Sequence, residues 1–306
     1  MTRAARRAFA ASTLLAALGA AYAIGAYSQA KDIWPISLLR DIKRTAEGQP
    51  HAVIRFDGNG RLLAFPGKVE TACPAPTPRT VVLAIFGGSN AGNYTGQRVA
   101  SSSGGRVFNY LDGKCYPAAS PLLGADNTMG EYWTLLGDHL IASGLADNVV
   151  IAVTSVGNSV AAEWAPGGAL APLVQSTLDD LKKRYRVTRV IWDMGEDDAL
   201  RAHDAGAFAA NYEKIFGAIR GSGVDAPIYT TLATKCMPDD YPWKPDNAIA
   251  AAERALPARV PGVTVGVDRD ALIKTLDRRD DCHLGGTGAA KMAQAWFERF
   301  LADSRR

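Results

Sequence analysis

From residue 80 onward, short apolar runs alternate with stretches of helical spacing. Thr80–Phe86, Asn148–Ser155, Arg189–Met194, Ala226–Ala233 and Val263–Val267 read as strands. Glu131–Ser143, Leu170–Tyr185, Gly206–Arg220 and Gly288–Leu301 carry apolar residues at helical intervals between them. A strand with no polar face must be covered on both sides. With helices supplied between the strands, the pattern predicts an α/β fold whose central parallel sheet lies between two helical layers. In such sheets, sites form in the loops beyond the carboxyl ends of the strands.

The segments before residue 80 differ in kind. Arg3, Arg6 and Arg7 precede an uncharged apolar run from Ala8 to Tyr27. That run is just long enough to span a bilayer, and its basic flank would keep the N-terminus in the cytoplasm and send the rest across. The same segment, residues 1–30, also reads as a signal peptide, with small residues at Ala21-Tyr22-Ala23 or Ala26-Tyr27-Ser28 for cleavage. An uncleaved anchor in the inner membrane through residues 8–27 is the favoured reading. Residues 31–79 form a stem and a small hairpin, in which Val53-Ile54-Arg55-Phe56 and Arg61-Leu62-Leu63-Ala64-Phe65 flank Asp57-Gly58-Asn59-Gly60. A Pro-rich linker, Cys73-Pro74-Ala75-Pro76-Thr77-Pro78, leads into the main domain at 80–306.

Charge excludes one function class. The chain's formal charge is +3, but residues 1–44 hold seven Lys or Arg against Asp32 and Asp41. The remainder has 27 basic and 29 acidic residues, so no basic field is available to collect nucleic acid. The four cysteines, Cys73, Cys115, Cys236 and Cys282, make no C-x-x-C pair, which argues against zinc. An exported domain permits disulfides. Three pairings are open, beside free buried thiols. Cys73–Cys115 with Cys236–Cys282 is favoured because each bond would brace loops near the proposed site.

Five segments carry candidate chemistry. Phe86-Gly87-Gly88-Ser89-Asn90-Ala91 follows the first strand, where two glycines allow a sharp turn that would expose the Ser89 hydroxyl. Its amide, near a helix start, would face developing negative charge. Ala91 stands where a G-x-S-x-G elbow would end in glycine. Asp280-Asp281-Cys282-His283 precedes the last helix and offers Ser89 a base whose tautomer a carboxylate can fix. Of the other histidines, His51 lies in the early hairpin, His139 within a helix pattern, and His203 beyond the third strand as a weaker competitor. Trp192-Asp193-Met194-Gly195-Glu196-Asp197-Asp198 ends a strand in acid, but no second acidic cluster completes a metal site. Ser120–Trp133 contains Gly124 and Gly130, either of which could present a backbone N–H. Gly157-Asn158-Ser159 leads to Trp164, which reads equally as a platform for a sugar ring or as a core residue.

Together and in this order, over roughly residues 80–302, these segments resemble the SGNH (GDSL-like) hydrolases, and within them the sialate O-acetylesterase branch, carbohydrate esterase family six. Gly87-Gly88-Ser89-Asn90 is similar to that branch's Gly-Gln-Ser-Asn, and Trp192–Asp198 to its Trp-His-Gln-Gly-Glu-Ser-Asp. Pro121–Trp133 looks like the block with an oxyanion glycine, Gly157–Trp164 like the Gly-Gly-Thr…Trp stretch, and Asp280–His283 like the block with the triad's Asp and His. The resemblance implies a three-layer α/β/α sandwich of flavodoxin-like SGNH type and no cofactor. It also implies a Ser89–His283–Asp280 triad attacking an O-acyl, chiefly O-acetyl, ester of a decorated carbohydrate. Gly130, with Gly124 second, would supply an oxyanion amide, and Trp164 and Glu196 would meet substrate. Two departures stand out. Met194 and Gly88 occupy positions where the branch has Gln, and a thioether cannot donate a hydrogen bond. Asn90 or Asn158 would then stand in as donor. The same triad could instead pass the acyl group to a hydroxyl of an exported polysaccharide, as an acyltransferase, and the two departures keep open a non-catalytic glycan-binding or scaffold protein.

Overall fold

The computed structural model describes residue 13 and residues 17–26, 53–236 and 243–305. The basic N-terminal flank, part of the apolar run, the 31–50 stem and His51 lie outside these residues. Contacts divide the chain into residues 1–53 and 54–306. In the first unit, residues 17–26 are helical. No described helix is long and apolar enough to cross a membrane.

The second unit opens with a short antiparallel pair, β1 (Arg55–Phe56) and β2 (Leu62–Ala64). The main sheet begins at β3 (Thr80–Gly87), which is buried at every residue, as a run without polar alternation requires. Next come β4 (Val107–Leu111), β5 (Lys114–Pro117), β6 (Asn148–Ser155), β7 (Arg189–Asp193), β8 (Ile228–Leu232) and β9 (Val263–Asp268). Their spatial order is β5-β4-β6-β3-β7-β8-β9. Every neighbouring pair is parallel except β4–β5. The sheet is therefore parallel with one antiparallel edge hairpin. Its turn, Asp112-Gly113, has φ of +49° and +79°, which matches the right-handed twist of the flanking strands.

The helices are α1 (Trp133–Ala142), α2 (Ala161–Trp164), α3 (Ala171–Lys182), α4 (Glu196–Leu200), α5 (Ala205–Gly221), α6 (Ala248–Arg259), α7 (Arg269–Leu272) and α8 (Gly286–Ser304). Alternate residues of β3 serve opposite layers. Val82, Ala84 and Phe86 join Val174 and Leu178 of α3, Tyr212 and Phe216 of α5, and Leu256 of α6. Val81, Leu83 and Ile85 join Trp133 and Leu136 of α1 and Met292, Trp296 and Phe300 of α8. The expected three-layer α/β/α sandwich is present.

Register places the site. Gly87 lies opposite Ser155 on one side and Asp193 on the other, so the loops leaving β3, β6 and β7 start at one level. Two disulfides brace the unit. Cys73–Cys115 ties the Pro-rich segment to β5, and Cys236–Cys282 ties the segment after β8 to the loop before α8.

Candidate active site

Ser89 opens a single 3₁₀ turn, Ser89–Ala91, directly beyond β3. Gly87 makes the turn possible. Its φ is +151°, and a Cβ there would lie 1.9 Å from the Asp193 carbonyl oxygen. The Gly88 amide donates to that same carbonyl at 3.0 Å, which fastens the turn to the end of β7. The Ser89 N–H stands at the start of the turn, where no intrahelical acceptor exists.

His283 reaches Ser89 from the other end of the chain, with Nε2 3.0 Å from Oγ. Its Nδ1 lies 3.0 Å and 3.1 Å from the two Asp280 oxygens. With Nδ1–H donated to Asp280, Nε2 is left to accept the Ser89 proton. Asp280 also receives the amides of His283 at 2.6 Å and Cys282 at 2.9 Å. Burial pushes its carboxyl up. The two amides and the imidazole outweigh that, and its pKa falls below the ordinary value.

Tyr94 lies against His283 and is itself held by Asp126. The Tyr94 ring stacks on the imidazole at 4.8 Å with an interplanar angle of 20°. Its hydroxyl donates to Asp126 Oδ2 at 2.8 Å. Asp126 also accepts from Ser155 Oγ at 2.7 Å and from the Gly157 amide at 2.5 Å. Burial raises the Asp126 pKa against these donors. Sequence reading missed both residues. Tyr94 lies between the recognised blocks and Asp126 within the Ser120–Trp133 segment without a local mark, and only the fold brings Tyr94 to His283 and Asp126 to Tyr94.

Several expected roles require correction. The Gly130 amide donates to Thr95 O at 3.0 Å, and a Cβ at Gly130 would sit 1.7 Å from Gln97 O. That glycine serves close backbone pairing, so its N–H is not free for an oxyanion. The Gly124 amide is likewise committed, to Leu62 O at 2.8 Å. Trp164 is no platform. It is 1 % exposed, donates Nε1 to Ser159 Oγ, and backs a hollow of about 190 Å³ lined by Val174, Ile215 and Ile219 of α3 and α5. Glu196 is buried too, and is taken by Asn90 Nδ2 at 2.9 Å and by Arg269. It therefore faces protein rather than substrate. Asn90 Nδ2 is directed at Glu196, away from a role as oxyanion donor. Met194 is 1 % exposed in the core, and its Cβ lies 3.7 Å from where a Gly88 Cβ would be.

Asn158 remains beside the site. It is exposed, with φ +59°, and its side chain makes no hydrogen bond among the described residues. Its neighbour Gly157 lies against the Tyr94 hydroxyl. His203, the competing base, is held by Asp198 at 2.8 Å, and the His139 ring lies 5.8 Å from that of Phe297. Among the described residues, no cluster of His, Cys, Asp and Glu is suited to hold a metal ion.

No family model and no curated protein matches the chain. Among solved structures, it is similar to a protein from Arabidopsis thaliana at 16% identity and a TM-score of 0.60, over 74% of this chain and 99% of that one. It is also similar to NanS at 13% identity and a TM-score of 0.51, over 76% of this chain and 99% of that one. At these identities the likeness is one of fold.

Proposed function

We propose that the chain is a serine esterase that removes O-acyl groups, chiefly acetyl, from a carbohydrate of the cell envelope. The observation that carries the reading is the chain of contacts from Ser89 Oγ to His283 Nε2 and from His283 Nδ1 to Asp280, at 3.0 Å each. A serine becomes a useful nucleophile when a base stands ready for its proton. Ser89 Oγ attacks the ester carbonyl as His283 Nε2 takes the proton, and Asp280 steadies the imidazolium. The charge that develops on the carbonyl oxygen faces the Ser89 amide, with the Asn158 side chain as second donor. His283 returns the proton to the departing sugar hydroxyl. Water, activated by the same imidazole, then releases the acyl group from Ser89. Acetyl ester and sugar are argued from the five ordered sequence blocks. The resemblance to the sialate O-acetylesterase branch makes an acetylated acidic sugar the first substrate to try.

Export fits this reading. The basic flank and apolar run at 8–27 would carry the domain across the inner membrane and hold it there. Two disulfides suit an oxidising compartment.

The test is hydrolysis of p-nitrophenyl acetate and of acetylated glycans by the parent and by Ser89→Ala. The reading expects turnover in the parent and none above background in the variant. Equal rates would remove Ser89 from the mechanism. Acetyl transferred to an added glycan acceptor in preference to water would redefine the enzyme as a transferase.

A further inference from the structure

Ser89 and His283 are 194 positions apart in the chain, yet a 3.0 Å contact joins them. Something must hold their loops in register, and Asn90 is placed to do it. Its side chain is 2 % exposed. Nδ2 donates to Glu196 Oε1 at 2.9 Å and lies 3.4 Å from the carbonyl oxygen of Cys282, the residue before His283. Arg278 Nη1 donates to the same carbonyl. One amide nitrogen thus touches the end of β7's loop and the loop of the general base, from a residue adjacent to the nucleophile.

Glu196 is itself held. Arg269 is 1 % exposed and pairs both with Glu196 and with Asp193, the latter at 2.9 Å. Tyr132 donates its hydroxyl to Asp193 at 2.6 Å. The Asp193 carbonyl accepts the Gly88 amide, which brings the circuit back to the nucleophile turn. The loop after β3, the end of β7, α4 and α7 each contribute a member.

The unused end of Asn90 argues that stability alone does not explain the residue. Its Oδ1 is buried without a partner among the described residues. Turning the amide over would set two acceptors, Oδ1 and Glu196, against each other. A buried acceptor left unmade needs a reason, and the two contacts of Nδ2 supply one.

We propose that Asn90 is a positioning residue that sets the register between the Ser89 turn and the Asp280–His283 loop, with Glu196 and Arg269 fixing its amide. The proposal rests on the esterase reading of Ser89. Misplacing a catalytic group by an ångström costs about 10²-fold in rate. Asn90→Ala is therefore expected to lower kcat on p-nitrophenyl acetate by about that factor, with KM little changed and the melting temperature near parental. Glu196→Ala should fall comparably. Glu196→Gln should stay within a few-fold of parental, because its amide carbonyl still accepts from Asn90. The double variant Asn90→Ala/Glu196→Ala should be no slower than the slower single variant.

Parental kcat in Asn90→Ala overturns the proposal, as does a double variant whose loss equals the product of the two. Should Glu196→Ala fail to fold, the contrast of Asn90→Ala with Glu196→Gln decides, and equal losses there refute it. Fluorophosphonate labelling separates the two levels of the argument. A parent chain that is not labelled at Ser89 sinks the esterase reading. A labelled parent, with Asn90→Ala labelled at the same rate, sinks the positioning role alone.

Discussion

Alanine at Gly87 would press on the one backbone contact from which the Ser89 turn hangs. The residue sits at φ +151°, where L side chains rarely go, and its added Cβ would meet the Asp193 carbonyl oxygen at 1.9 Å. Both partners are backbone on neighbouring parallel strands, so no side chain can swing aside. Real Cβ contacts stay beyond 3.0 Å. Going from 1.9 Å to 3.0 Å parts the ends of β3 and β7 by about 1.1 Å. That shift moves Ser89 relative to His283 and disturbs the Gly88 amide bond to Asp193. The expected loss in kcat is about 10²-fold, with a folding cost of about 1–3 kcal/mol for the strained residue. Gly217 is the control. It lies on the exposed face of α5 with nothing within 4 Å of its added Cβ. Gly217→Ala should keep parental kcat and gain up to about 1 kcal/mol. The assay is steady-state hydrolysis of p-nitrophenyl acetate alongside thermal and guanidinium unfolding. Parental kcat and stability in Gly87→Ala would refute the reasoning.

The disulfides and a buried acid give further tests. Cys73–Cys115 and Cys236–Cys282 close loops of similar separation, 42 and 46 residues, so the chain-entropy model assigns each about 4 kcal/mol. Only the second adjoins His283. Serine at Cys236 and Cys282 should lower both stability and kcat, whereas serine at Cys73 and Cys115 should lower stability alone. Equal effects on kcat would contradict this. Glu253 is fully buried, and burial together with Asp270 raises its pKa well above the ordinary value. An acid so shifted favours folding below its unfolded pKa, and that contribution is lost as pH climbs towards the folded one. Glu253→Gln should therefore grow more stable than the parent by up to about 1.4 kcal/mol per pH unit above pH ~4.5. Melting curves across pH 5–8 that show a constant difference would exclude it.

What could be read from the residues follows from what side chains reveal. β3 and β6 were legible because a doubly covered strand must be apolar throughout. Ser89, Asp280 and His283 were legible as short local patterns. The β4–β5 hairpin escaped notice although Asp112-Gly113 is a hairpin signal. α6 was hidden by Pro257 within it. The errors at Gly124 and Gly130 have a common cause. A glycine in a motif does not disclose whether its amide is already spent, and here Leu62 and Thr95 take both. Glu196 looked available because acidic residues in a strand-end loop usually meet solvent. Its partner Arg269 lies 73 positions away and carries no local mark. Tyr94 was likewise invisible until its ring was seen stacked on His283.

The central claim is that Ser89 is a nucleophile primed by His283, and trapping it tests that most directly. The parent chain is treated with a fluorophosphonate and the peptide bearing Ser89 is weighed. The account predicts one adduct per chain on Ser89, absent in Ser89→Ala and formed at least about 10²-fold more slowly in His283→Ala, as loss of a general base requires. No adduct on the folded parent, or labelling that persists at full rate without His283, would contradict it.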